Sequence, residues 1–173
     1  MYFAQTGTAF PAVSLGTPGS AWVEVGYTEG GVKVASPQNV VELRADQVTG
    51  PIKAVRSEES LEISFSIASL TLENYALTMN RAIGQGIGVG NKNLAMYRGG
   101  FQVETLALLI RGNNLSPYGN THLQFEVPNC FQADSPEVEF TKDNKATLSC
   151  SFHAIVDPDR ANDDASFGYL RTG

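Results

Sequence analysis

The chain has 173 residues, an apolar content of 42% and a formal net charge of −6. This length allows one domain with a substantial core, and the apolar content argues against wholesale disorder. The acidic balance and the lack of a basic patch disfavour binding to the phosphate backbone of nucleic acids. The sequence contains no apolar run near the ~20 residues that a membrane-spanning helix needs.

The first 20 residues contain several glycines and prolines and show no sustained periodicity. Because the first seven residues carry neither a basic region nor a continuous apolar run, no signal peptide is predicted and we expect folding in a cytoplasm. Tyr2, Phe3 and Phe10 make the segment too apolar for a solvated tail. Such a segment usually docks on its own domain or on a neighbouring subunit, so we interpret it as an N-terminal arm.

Two hairpins are predicted in the next part of the chain. Residues 21–27 alternate and predict a strand, and Glu29-Gly30-Gly31 predicts a turn before the chain resumes an extended course. Residues 40–44 and 52–56 predict a second extended pair, because the Gly50-Pro51 step between them signals a turn or the entry to a strand.

The segment around which the chain is organised begins with a strand. From Leu61 to Ile67 apolar and polar residues alternate, which predicts a half-buried strand. This pattern puts four apolar side chains on a core face and leaves Glu62, Ser64 and Ser66 on the other face.

A helix is predicted directly after this strand, with Thr71 as its N-cap and Gly84 as its stop. The apolar stripe of this helix comprises Leu72, Tyr75, Ala76, Met79 and Ile83. The remaining chain reads as strands, and a single helix needs a sheet against which to bury its stripe. We therefore predict a mainly β fold, a β-sandwich with one flanking α-helix.

Two loops carry patterns that suggest ligands. Residues 84–93 hold four glycines at alternate positions, but they match neither G-x-G-x-x-G nor a Walker loop, so a flexible loop is predicted. Residues 157–164 are dense in oxygen ligands but lack the glycine and the distal glutamate of an EF-hand loop. A solvated loop is predicted there, with a cation site as the alternative.

Three further strands are predicted. Residues 101–111 begin by alternation, with Gln102 and Glu104 on one face, and end in a continuous apolar run that suggests burial on both faces. Residues 121–127 alternate, and the region 138–156 forms a last hairpin. In the 121–127 strand the polar residues expected to point outward are His122, Gln124 and Glu126.

Catalytic and metal-binding motifs are missing from the sequence. It has no G-x-S-x-G, H-E-x-x-H or C-x-x-C pattern, and we predict that the chain is not an enzyme and uses no cofactor. Cys130 and Cys150 are expected to be reduced, half-buried strand residues, with a disulfide as the alternative. His122 and His153 form no ligand-spaced cluster with them, which disfavours a metal site. A catalytic pair assembled by the fold is an alternative that the sequence does not test.

Four features follow one another between residues 22 and 158. They are a glycine-containing first strand around Gly26, a turn at Thr49-Gly50-Pro51, a strand that runs into the helix opening at Leu70–Tyr75, and a last strand that closes on Asp157-Pro158. In order and spacing these features resemble the major tail proteins, or tail tube proteins, of long-tailed bacteriophages and related phage-like particles.

The resemblance implies a tail-tube-like β-sandwich domain at residues 21–157 between an N-terminal arm, residues 1–20, and a C-terminal arm, residues 158–173. It implies a structural protein of the virion tail, assembled in a bacterial cytoplasm, whose homohexameric rings stack into a conduit for DNA. The implied tail is long and non-contractile, with a contractile tail as a variant. The implied partners are other copies of the chain and the tape measure, terminator and distal tail proteins, and DNA passes through without specific binding.

Two sets of residues are expected to serve this assembly. The candidates for the lumen are Glu62, Gln102 and Glu104, and the candidates for inter-subunit arms are Tyr2, Phe3, Phe10, Phe167 and Tyr169. The alternative function is a monomeric or trimeric β-sandwich module, either a virion decoration protein or a carbohydrate-binding domain. Such a module would present exposed aromatic residues on a concave face.

Overall fold

The computed structural model describes residues 1–14, 16–81, 93–96, 100–112, 122–138, 146–157 and 165–173. The predicted mainly β fold is confirmed, with antiparallel strands and one short helix in these residues. The strands are β1 (Tyr2–Gln5), β2 (Val23–Glu24), β3 (Thr28–Ala35), β4 (Gln38–Arg44), β5 (Pro51–Glu59), β6 (Glu62–Ile67), β7 (Leu106–Arg111), β8 (Leu123–Gln132), β9 (Leu148–Ala154) and β10 (Tyr169–Thr172), and the helix is α1 (Leu72–Thr78).

The main sheet has the strand order β2-β1-β7-β8-β9-β6-β3, and β10 pairs with β8. A flat sheet of seven strands would separate its two end strands by about 29 Å. However, β2 and β3 are joined by Val25–Tyr27 alone, and this link spans at most about 15 Å. The backbone N–H of Val25 also donates to the carbonyl oxygen of Met1 at 3.1 Å. The sheet therefore curves strongly, and its concave side encloses the core.

The core confirms the alternation predicted for the strand before the helix. In β6, Ile63, Phe65 and Ile67 are buried, and the ring of Phe65 stacks on that of Phe152 with centroids 5.8 Å apart. Burying each such side chain stabilises the fold by about 1.5–3 kcal/mol. The continuous apolar run of β7 is buried on both faces, as predicted, because one face contacts this core and the other contacts Ala4 and Trp22.

The helix is shorter than the sequence predicts. Thr71 is its N-cap, as expected, and its hydroxyl accepts from the backbone N–H of Asn74 at 3.1 Å. The helix ends at Thr78 because Asn80 adopts a left-handed conformation, with φ of 54°, which α-helical residues do not have. The predicted stop at Gly84 is therefore wrong in its position, and Gly84 and the rest of the glycine-rich loop up to residue 92 lie outside the described residues.

The hairpin predicted at Glu29-Gly30-Gly31 is wrong. These three residues lie inside β3, which continues from Thr28 to Ala35 along β6. Gly30 and Gly31 have positive φ values, and the pairing register shifts between Glu29 and Val32, so they form a bulge instead of a turn. The predicted strand at residues 21–27 is reduced to β2.

The solvent exposure predicted for the polar residues of β8 is also wrong. His122, Gln124 and Glu126 are buried, because segments from both ends of the chain cover the face on which they lie. The strand predicted at residues 101–111 begins only at Leu106, so Gln102 and Glu104 precede it. Most of the first strand and the turn of the hairpin predicted in the region 138–156 lie outside the described residues.

Candidate assembly surfaces

β4 and β5 form a two-stranded ribbon that is separate from the main sheet. The ribbon continues the line of β3 and β6, because Ala35 pairs with Glu62 and Gln38 pairs with Glu59. At the junction the backbone N–H of Ser60 donates to the carbonyl oxygen of Pro37 at 3.0 Å. With seven residues in β4, the ribbon extends about 23 Å beyond the body of the protein.

Every residue of the two ribbon strands is exposed. Six large apolar side chains of the ribbon and its turn have exposed fractions between 42% and 59%: Val40, Val41, Leu43, Val48, Ile52 and Val55. An isolated two-stranded ribbon is at best marginally stable in water, and a concentration of exposed apolar side chains marks a site of interaction. The ribbon therefore has the composition of an element that packs against a partner.

Four charged side chains of the ribbon are paired within it. Arg44 contacts Glu42 at 2.8 Å, and Arg56 contacts Glu59 at 2.6 Å. These pairs are exposed to solvent, so each contributes less than about 1 kcal/mol to stability. These pairs neutralise four of the charges on the ribbon, so it offers a partner Lys53 and Glu58 together with its apolar side chains and backbone.

A second set of exposed apolar side chains precedes β7. Met96, Phe101 and Val103 have at least half of their side-chain surface exposed, and Phe101 is fully exposed. Gln102 and Glu104, two of the lumen candidates, lie in the same exposed segment. The third candidate, Glu62, lies on β6, which β8 and β9 separate from β7 in the strand order. The structure thus does not bring the three lumen candidates together on one strand or on adjacent strands.

A polar cluster with a buried centre lies on the face of β7 and β8 that the sequence assigns to solvent. We use this name for Arg111, Gln124, Glu126 and Arg171. The Arg111 Nε donates to the Gln124 Oε1 at 2.8 Å, and the Gln124 Nε2 donates to the Glu126 Oε1 at 2.7 Å. The guanidinium of Arg171, in β10, lies 3.1 Å from the other oxygen of Glu126, whose side chain is only 2% exposed.

The polar cluster holds both ends of the chain on the main sheet. Its Gln124 donates to the carbonyl oxygen of Pro11 at 2.9 Å, and its Arg111 donates to the carbonyl oxygens of Ala12 and Gly16. At the other end, β10 pairs with the Leu123–Glu126 part of β8. Sequence reasoning missed this cluster, because alternation identifies the two faces of a strand but does not reveal that distant segments cover the polar one.

The five candidate arm residues contact their own subunit. Tyr2 and Phe3 lie in β1, and Phe3 is buried in the core. The ring of Phe10 packs 5.1 Å from that of Trp22. Tyr169 lies in β10 with the Arg171 guanidinium 4.8 Å from its ring centre, and Phe167 lines a nearby cleft. A role of these residues between subunits stays a prediction.

The cleft beside β10 has a volume of about 420 Å³. It lies between the base of the ribbon and the pair formed by β8 and β10. Three aromatic side chains and six polar ones contribute to its lining: Phe125, Phe167, Tyr169, Ser36, Gln38, Arg56, Glu59, Ser60 and Glu126. An aromatic lining with a few polar groups is typical of small-molecule sites, so this cleft is the candidate site for the alternative function.

The reactive groups of the described residues offer little chemistry. Cys130 and Cys150 are free strand residues, as predicted, but they are buried instead of half-buried. Burial raises the pKa of the Cys150 thiol to about 12 and raises the pKa of Cys130 as well, so both thiols stay protonated and unreactive at neutral pH. Within the described residues no three His, Cys, Asp or Glu side chains are placed to hold a metal ion, and no helix is long and apolar enough to cross a membrane.

Comparison with known proteins does not assign a family. A scan against models of protein families gives no match, and a search of curated proteins gives none either. Inference about function therefore depends on the ribbon, the exposed segment before β7 and the placement of polar groups on the main sheet.

Proposed function

We propose that this chain is the major tail tube protein of a long-tailed bacteriophage or phage-like particle. In this proposal it is a structural subunit with no enzymatic activity, and it polymerises into stacked hexameric rings that form the conduit for DNA in the virion tail. The finer fold that we propose is a β-sandwich with one flanking helix. In support, Phe3 of β1 belongs to the same core cluster as Phe65 of β6 and Phe152 of β9, although β7 and β8 separate β1 from these two neighbouring strands in the sheet order.

The ribbon is the observation that carries the proposal. Among the described residues it contacts no other strand or helix extensively, and it exposes apolar side chains on both of its faces. A second copy of the chain is the simplest partner, because each subunit also presents the exposed Met96, Phe101 and Val103. A contact between two different surfaces of identical subunits produces rings or open-ended stacks, which are the forms that a tube requires.

The sheet edges and the charge are consistent with a tube for DNA. β3 ends the order of the main sheet, and an edge strand is a template for pairing with another chain unless it is protected. Closing subunits into a ring would protect such edges. The net charge of −6 would repel the phosphates of DNA, so that DNA could slide without adhering.

The first test is electron microscopy of negatively stained, purified protein at low and high concentration, with light scattering on the same samples. We expect rings or hollow tubes of uniform diameter that become more abundant with concentration. A matched variant replaces residues 38–59 with a short glycine linker between Pro37 and Ser60, whose backbones already meet at the base of the ribbon. This variant should remain folded by circular dichroism and should not assemble. Compact monomers of the unaltered protein at every concentration would contradict self-assembly by this chain.

The alternative is a monomeric or trimeric β-sandwich module that acts as a virion decoration protein or binds carbohydrate. The cleft lined by Phe125, Phe167 and Tyr169 favours this function over an enzyme, because it has aromatic walls but no catalytic motif was found in the sequence. A glycan array with the unaltered protein and with Tyr169→Ala separates the two proposals. Binding that the substitution abolishes, in a protein that does not assemble, would favour the module.

A further inference from the structure

The outer face of β6 and β9 is lined by serines. Ser64 pairs with Ser151 and Ser66 pairs with Ser149, so the four hydroxyl side chains lie side by side on the sheet. We call this surface, together with the residues that flank it, the serine face. The side chains between these serines, such as Phe65 and Phe152, point to the opposite side and are buried in the core. At the serine face the two strands themselves therefore form the surface of the protein, and the core lies on the other side of β6 and β9.

Charged residues at the margin of the serine face are mostly acidic. Lys33 and Glu29 of β3 lie opposite Ser64 and Ser66, and Glu62 lies opposite His153 with 3.9 Å between the imidazole Nε2 and the carboxylate. Asp134 lines the same shallow trough. Of the residues that the structure describes, three carboxylates and one lysine lie on or beside the face, so they present an acidic surface to any solute that passes along it.

The composition of the serine face is unlike that of a protein interface. Serine, aspartate, glutamate and lysine are depleted at the buried centres of interfaces, whereas aromatic residues are enriched there. The ribbon and the segment before β7 have the opposite character, with exposed valine, leucine, isoleucine, methionine and phenylalanine. In an assembly of this chain, the apolar surfaces would be buried between subunits and the serine face would stay hydrated.

We infer that the serine face lines the lumen of the assembly and is the surface along which DNA passes. This inference rests on the proposed function. In a closed ring of subunits, the inward side has the smaller circumference. The bulk of each subunit, which here is the core behind β6 and β9 with α1, β1 and β7, fits only on the outward side. The serine face, which has no bulky structure on its outer side, is then directed toward the lumen.

The chemistry of the serine face suits passage without binding. Serine side chains are short and well hydrated, and the excess of carboxylates repels phosphate groups. The single lysine that the described residues place on this face provides few of the cationic contacts that hold a protein on DNA. Of the lumen residues expected from the sequence, Glu62 is part of this face, whereas Gln102 and Glu104 belong to the exposed apolar segment before β7.

Thiol labelling at one serine tests the inference. Ser151→Cys introduces a nearly isosteric thiol on the serine face, and Ser57→Cys is the matched control on the exposed ribbon. The native Cys130 and Cys150 are buried, so they contribute little background. Each variant is treated, as dissociated subunits and as assembled tubes, with a small maleimide or with a maleimide carried on a globular protein too wide for the tube. Labelling is measured by mass spectrometry.

In dissociated subunits both variants should react with both reagents. In tubes, Ser151→Cys should react with the small maleimide and lose reaction with the protein-borne one, whereas Ser57→Cys should lose reaction with both. Reaction of Ser151→Cys in tubes with the protein-borne maleimide would place the serine face outside, and reaction with neither would place it in an interface. Either result contradicts the inference about the serine face without contradicting the proposal that the chain forms a tube. Failure of the unaltered protein to form tubes contradicts instead the proposed function.

Discussion

The side-chain amide of Asn80 pairs with the backbone of Gln132 as a residue of a neighbouring strand would. Its Nδ2 donates to the carbonyl oxygen of Gln132 at 2.8 Å, and its Oδ1 accepts from the backbone N–H of Gln132 at 2.6 Å. The side chain of Gln132 in turn accepts from the backbone N–H of Ser151 at 2.9 Å. One asparagine thus ends the helix and completes the hydrogen bonding at the end of β8.

Removing the Asn80 amide should destabilise the protein more than its small size suggests. Asn80→Gly keeps the left-handed backbone but leaves two buried backbone groups of Gln132 without partners, at about 1–3 kcal/mol for each unsatisfied group. Asn80→Ala adds about 1–2 kcal/mol for a left-handed alanine. The free energy of unfolding, measured by urea titration, should therefore be highest for the unaltered protein, lower for Asn80→Gly and lowest for Asn80→Ala. Asn39→Ala, an exposed change on the ribbon, is the control, and an equal effect of Asn39→Ala would refute the account.

The ion pair between Arg171 and Glu126 should hold the C-terminal strand in place. Arg171→Ala leaves the buried Glu126 carboxylate without its cation, and the loss of a hydrogen bond to a charged group costs about 1–3 kcal/mol. Hydrogen exchange should accelerate at the amides of β10 and of its partner segment in β8. The matched control is Arg44→Ala, which removes an ion pair that is exposed at both ends. Equal exchange rates in the two variants would show that Arg171 does not anchor β10.

Gly168 should be required for the docking of the same strand. Its φ is +119°, and a Cβ atom at this position would overlap the backbone carbonyl oxygen of Glu126. Gly168→Ala should therefore displace β10 and expose the edge of β8, which limited proteolysis of the C-terminus would detect. Gly31→Ala distinguishes steric overlap from backbone strain as the cause. Gly31 also has a positive φ, but no atom lies near the position of its added Cβ. If the two variants were cleaved equally, backbone strain alone would explain the effect.

The buried thiols should lower the stability of the protein at high pH. Burial raises the pKa of Cys150 from 9.0 in the unfolded chain to about 12, so the folded state retains a proton that the unfolded state releases. Stability from this group is complete below pH 9.0 and falls progressively between pH 9.0 and about 12. Cys150→Ala should flatten this part of the curve of unfolding free energy against pH. An unchanged slope in the variant would exclude the thiol as its source.

The strand and helix patterns of the sequence were reliable where local chemistry decides the structure. The alternation in β6 and the Thr71 cap both depend on neighbouring residues, and both are present. Errors occurred where distant segments decide. Gln124 and Glu126 are polar residues of an alternating strand, and only the docking of Pro11 and β10 covers them. In the same way, the sequence predicts the pairing of β4 with β5 but does not indicate that this pair leaves the main sheet.

The ribbon should contribute to assembly without contributing to the stability of the subunit. Val41 and Val55 lie opposite each other on one face and are about half exposed, so replacing both with serine removes no core contact. If both are buried on assembly, the loss is about 3 kcal/mol per subunit, which corresponds to a rise of roughly a hundredfold in the concentration needed for tubes. Val156→Ser, at an equally exposed valine outside the ribbon, is the control. Light scattering as a function of concentration measures the lowest concentration at which tubes form. An equal rise of this concentration in Val156→Ser would show that the ribbon is not part of the assembly interface.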